Sequence, residues 1–148
     1  MASKAIPDGY HNVTPYLVVQ GADKLLEFLT RAFDARPIHR MPHPDGGIMH
    51  AEVKIGDSIV MMGEARGTCQ PMPSSLYLYV TDADAVYKQA LQAGAKSTME
   101  PMNQFWGDRT AGVKDPAGNQ WMIGTHKEDV PPDELRKRAE AHMKQHAK

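Results

Sequence analysis

Laid over itself at an offset of 61 positions, the chain places Thr14 on Ser75, Val19 on Val80, Ala22 on Ala83, Asp23 on Asp84, Met61 on Met122 and Gly63 on Gly124. The order of local patterns repeats as well. Thr14–Gln20 is rich in β-branched and aromatic residues and predicts a strand. From Ala22 to Phe33 the apolar residues Leu25, Leu26, Phe28, Leu29, Ala32 and Phe33 fall at helical spacing. Ile38–Met41, Ile48–Ile55 and Ser58–Gly63 then read as three strands joined at Pro44–Gly47 and at Gly56-Asp57. After a Gly- and Pro-containing linker, Glu64–Ser74, the series starts again. It runs through a strand Ser75–Thr81, a helix Ala83–Ala93 ended by Gly94, and strands Lys96–Met102, Arg109–Lys114 and Gln120–Thr125. The last two are joined by the turn sequence Asp115-Pro-Ala-Gly-Asn119. A duplicated βαβββ unit accounts for all of this, because neither four-stranded sheet can bury its apolar face alone.

The repeat fills most of a 148-residue chain and implies one domain over residues 10–130, built of modules 13–63 and 75–125. Residues 131–148 are charged and predict a C-terminal helix opening at Pro132, free to dock on the body or on a second subunit. A formal charge of -1 carries no basic excess for nucleic acid or an anionic membrane, and no run approaches a membrane span in length. One cysteine, Cys69, and an N-terminus without an apolar core predict a cytoplasmic protein.

Thr14-Pro-Tyr-Leu-Val-Val19, Ala32-Phe-Asp-Ala35, Gly107-Asp-Arg109 and Asp115-Pro-Ala-Gly-Asn-Gln-Trp121, set in paired βαβββ modules, resemble the vicinal oxygen chelate superfamily. Its members include glyoxalase I, extradiol dioxygenases and bleomycin resistance proteins. His50-Ala-Glu-Val-Lys-Ile-Gly-Asp57, Phe105-Trp-Gly-Asp-Arg109 and Thr125-His-Lys-Glu-Asp-Val130 are more narrowly similar to its PhnB-like branch. The resemblance implies an α+β glyoxalase/bleomycin resistance fold, two curled mixed sheets around a cleft, and a homodimer that takes a small-molecule ligand.

Strand alternation then sorts the side chains. Tyr16, Ile48, His50, Glu52, Met61, Tyr77, Tyr79, Arg109, Ala111 and Met122 are expected to face the cleft. Leu17, Val19, Met49, Ala51, Val53, Ile55 and Trp121 are expected under the helices. Phe105 and Trp106 would form an aromatic lip over Arg109, whose guanidinium could clamp an anion or pair with Asp108 or Glu100. The superfamily's metal ligands correspond to Thr14, Met61, Ser75 and Met122, two hydroxyls and two thioethers, so no metal and no cofactor is expected there. Three functions stay open: a metal-free binding protein; an enzyme using His50 with Glu52 as base and orienter, and Arg109 as clamp; and an interaction protein acting through the terminal helix.

Overall fold

The computed structural model describes residues 2–147; Met1 and Lys148, the last residue of the expected tail helix, lie outside it. The element order is β1 (Tyr16–Val19), α1 (Ala22–Phe33), β2 (Arg36–Pro42), β3 (Ile48–Ile55), β4 (Ser58–Glu64), β5 (Ser75–Tyr79), α2 (Ala83–Gln92), β6 (Lys96–Asn103), β7 (Asp108–Lys114), β8 (Gln120–His126) and α3 (Pro132–His146). The strands form two sheets with matching orders, β1-β4-β3-β2 and β5-β8-β7-β6. In each, the outer pair β1/β4 or β5/β8 is parallel and the other pairs are antiparallel. This is the α+β arrangement expected from the repeat.

Both helices are held at their N-termini by the end of the last strand of their own module. Glu64 accepts hydrogen bonds from the Gly21 and Ala22 amides at 2.8 and 3.0 Å, while its counterpart Thr125 accepts from the Ala83 amide at 2.8 Å. Each satisfies a donor that the helix itself leaves without a partner. Glu64 was expected in the linker; its carboxylate instead ends β4 and complements the positive end of α1.

Leu25, Phe28, Leu29 and Ala32 of α1, 0–2% exposed, pack on Leu17, Ala51, Val53 and Met62 of the first sheet within one core. Ala83 and Ala90 of α2 do the same over Ala111, Val113 and Ile123. The helices also touch each other, Gln89 donating to the Arg31 carbonyl at 2.7 Å, and Phe33 of α1 lies 4.9 Å from the Trp121 ring of β8. Trp121, 2% exposed, is thus the core residue expected of it.

The β7–β8 turn is braced by one buried carboxylate. Asp115, 4% exposed, accepts from the Ala117 and Asn119 amides, the Asn119 side-chain amide and the Trp121 indole at 2.9–3.0 Å. Asn119 in turn accepts from the Ser74 amide, tying the linker to the turn. Removing the carboxylate strands several buried donors. Asp115→Ala is expected to lower stability by about 3 kcal/mol in urea unfolding, with the slope against denaturant unchanged.

Candidate functional site

With the helices packed together on the inner sides of the sheets, the other face of each sheet turns outward. Within one chain the two sheets therefore do not close on a shared cleft, contrary to expectation. Tyr16, Tyr77 and Tyr79 remain 47%, 43% and 62% exposed. A groove of ≈ 650 Å³ follows the seam between modules, lined by Phe33, Asp34, the Gly56-Asp57 turn and β5, but it touches neither buried carboxylate described below.

On the first sheet, His50 and Glu52 project from alternate positions of β3, as expected. His50 Nε2 lies 2.7 Å from Glu52, and Nδ1 lies 3.3 Å from the Tyr16 hydroxyl. A tautomer protonated at Nε2 lets Tyr16 donate to His50 and His50 donate to Glu52. The fourth member is Tyr10, from the chain before β1, whose hydroxyl donates to the other Glu52 oxygen. Burial alone would raise the Glu52 carboxyl, but the hydrogen bonds from Tyr10 and His50 outweigh it and hold it below the usual carboxylate range. Tyr10 was not anticipated; a tyrosine four residues ahead of the repeat carries no periodic signal.

The second sheet holds a different cluster. Asp108, 2% exposed, accepts from Tyr77 at 2.6 Å and Tyr79 at 3.0 Å through one oxygen, and lies 2.7 Å from His126 Nδ1 through the other. His126 Nε2 is 2.7 Å from Asp129. Burial would raise Asp108, yet bonds from Tyr77, His126, Tyr79 and Trp106 keep it low. Burial and the neighbouring carboxylate push the Tyr77 phenol far above its ordinary value. His126, at the end of β8, is a full member of this cluster.

The expected clamp does not form. Arg109 turns to the helix side, where it binds Asp84 of α2 at 2.6 and 2.9 Å, and Ala111 is fully buried beside it. The reason is one residue of register. Glu52 pairs with Met61, nine positions on, whereas Gly112 pairs with Met122, ten positions on. The longer β7–β8 connection shifts the repeat by one on β7 and exchanges its faces. Asp108, not Arg109, therefore points outward. Phe105 is no lip over Arg109: it packs on His142 of α3, ring centroids 5.1 Å apart, while Trp106 leans to Asp108 and Tyr77. The alternation also fails at the start of β3. Register slips between Met41 and Pro42, Ile48 is completely buried in the core, and Met49 is 41% exposed.

Met61 and Met122 sit at equivalent places, paired with Tyr16 and Tyr77. Each tyrosine crosses a glycine on the neighbouring strand: a Cβ on Gly63 would come within 2.7 Å of the Tyr16 hydroxyl, and one on Gly124 within 2.8 Å of the Tyr77 ring. At the four positions where the resemblance implies metal ligands, Thr14, Met61, Ser75 and Met122, two neutral hydroxyls and two thioethers do not make a donor set for a hard or borderline divalent ion. Among the described residues no three His, Cys, Asp or Glu side chains gather into a metal-binding group.

His126 lies between two carboxylates, Asp108 first and Asp129 second, which raise its pKa above the ordinary 6.5. A raised folded-state value means the interaction stabilises fully below pH 6.5 and is lost as pH climbs through the folded pKa. NMR titration is expected to show His126 titrating above 6.5, and Asp108→Asn to bring its midpoint down.

The family model for the glyoxalase/bleomycin resistance protein/dioxygenase superfamily matches residues 10–123. An uncharacterized protein from Mycobacterium bovis, Mb0911c, is 37% identical over 134 residues, covering 83% of this chain and 88% of that one. The crystal structure of TioX from Micromonospora sp. ML1 is similar with a TM-score of 0.68 at 25% identity, over 78% of this chain and 98% of TioX. TnmS3, an antibiotic binding protein from Streptomyces sp. CB03234, shares the fold at a TM-score of 0.64 and 23% identity, over 84% of this chain and all (100%) of that one. With the repeated module, the sheet order and the family match in agreement, the chain belongs to the glyoxalase/bleomycin resistance protein/dioxygenase superfamily.

Proposed function

We propose that this protein binds a small organic molecule on the outward sheet faces and returns it chemically unchanged, without a divalent metal at the superfamily's usual positions. The observation that carries the reading is the donor set there: Thr14, Met61, Ser75 and Met122 give no Lewis acid a place to work. Supporting it, each face carries an aromatic platform over a saturated, buried carboxylate. Tyr77 and Tyr79 lie 4.9 Å apart, and Tyr16 lies 5.6 Å from His50. Such surfaces suit flat ligands held by ring contacts and a few fixed polar groups. TnmS3, an antibiotic binding protein, puts the same fold to that use.

A homodimer belongs to the same proposal. The exposed tyrosines make each outward face half of a cleft, and a second copy of the chain would cover it. No helix among the described residues is long and apolar enough to cross a membrane. The reading keeps the protein in the cytoplasm, where the exposed Cys69 would stay a thiol. A second reading rests on the 2.7 Å His50–Glu52 contact, the geometry of a base and its orienter. Arg109 has no part in it.

Titration with planar aromatic compounds, followed by the fluorescence of half-buried Trp106, tests the binding reading. Binding is expected to persist in chelator, and mass spectrometry is expected to recover the compound unaltered. Tyr77→Ala and Tyr79→Ala should each weaken binding several-fold. Stoichiometric Ni, Zn or Fe coupled to turnover would overturn it, and turnover abolished by His50→Ala would establish the second reading. Light scattering is expected to give twice the 16.4 kDa chain mass.

A further inference from the structure

The segment ahead of β1 does something the repeat does not explain. Position 10 maps onto Pro71, so the second module has no counterpart of Tyr10. Tyr10 nevertheless donates its hydroxyl to Glu52, a carboxylate 7% exposed at the centre of the first sheet's outward face. Local chemistry aims it there. Pro7–Tyr10 forms a turn closed by the Tyr10 amide on the Pro7 carbonyl at 3.1 Å, with Gly9 at φ 86°, the third-position conformation that a type II turn requires. Gly9 lies over Ile59 of β4, whose Cδ1 would be 3.8 Å from a Cβ at that position.

Little else holds this arm. Residues 2–9 are exposed, Ile6 at 43%, and Val13 beyond the turn is 86% exposed. A segment with so few buried apolar contacts opens at low free-energy cost. Beneath it, one Glu52 oxygen is held by His50 and the other faces the arm, with Met61 directly opposite Glu52 in the strand pairing and Tyr16 beside Met61.

We propose that the arm is a displaceable strap and Tyr10 an internal stand-in for the ligand: when the strap leaves, Glu52 accepts a hydrogen bond from the phenolic hydroxyl of a small aromatic molecule. The inference rests on the outward faces being small-molecule surfaces and names the chemistry that the first of them reads. The stand-in itself selects a phenol. A single O–H on a flat ring completes Glu52; Met61, paired with Glu52, and Tyr16, paired with Met61, give that ring uncharged neighbours, while His39 pairs with Glu52 from the other side. The ligand competes with the strap, so its apparent affinity falls in proportion to the fraction of chains that are closed.

Isothermal titration of 4-methylphenol into the full-length chain, Tyr10→Ala and Tyr10→Ala/Glu52→Gln tests this. Tyr10→Ala is expected to bind about tenfold more tightly than the parent, the gain for a strap closed about nine-tenths of the time, and the double variant to lose the gain. In the parent protein, NMR signals of residues 5–13 are expected to move toward random-coil positions as 4-methylphenol saturates. Equal affinities for the parent and Tyr10→Ala, or arm signals that stay fixed while the Met61 methyl shifts, would overturn the strap. The Trp106 titration reads the other sheet and can succeed or fail independently.

Discussion

Each sheet comes with one helix, which covers one of its two faces, and the two modules pack on each other at the helices, where Phe33 of α1 meets Trp121 of β8 and Gln89 of α2 donates to the Arg31 carbonyl of α1. That packing decides the rest of the molecule. It gathers both modules into a single core, and it obliges the other face of each sheet to look away from its twin. Polar groups on those faces cannot rely on the opposite sheet of their own chain. They find partners within their own half of the chain, which is why the buried carboxylates Glu52 and Asp108 each carry a complete local set of donors.

The two sets reach the same electrostatic end by different routes. A carboxylate lowered into a sheet loses hydration, and only several hydrogen bonds keep it ionised. Asp108 is satisfied by Tyr77 and Tyr79 of the strand β5 together with His126 of β8, all from regular structure. Glu52 is satisfied by His50 from its own strand and by Tyr10 from an irregular arm. One floor is built from strands and the other leans on an exposed segment. The same duplicated framework, with tyrosines at equivalent positions across equivalent glycines, thus presents two chemically distinct surfaces.

Much of this was legible in the chain itself. The helix over Ala22–Phe33 follows from apolar spacing alone, the succession of elements follows from the repeat, and Leu17, Val53 and Trp121 are buried as alternation requires. His50 and Glu52 share a face for the same reason. What could not be read was set by matters that alternation does not encode. Arg109 and Asp108 exchanged faces because hairpin length, not residue type, determines register, and Ile48 and Met49 changed places at an irregularity in the β2–β3 pairing. The expectation of a cleft enclosed within one chain failed because the helix-to-helix contact was not visible in either module taken singly. Tyr10 reaches Glu52 across 42 positions with no pattern to announce it.

The five-residue connection 115–119 carries a wider consequence. Because Asp115 braces it, it can be longer than its two-residue counterpart Gly56-Asp57 and set the register one residue further on without breaking the strands it joins. Yet that single residue rotates every side chain of β7 to the opposite side. In a duplicated architecture of this kind, a chain need not accumulate substitutions one by one to give its halves different tastes. A change of length in a remote, well-braced corner rewrites a whole row of chemistry at a stroke, and the residues so exchanged are ones the fold already tolerates.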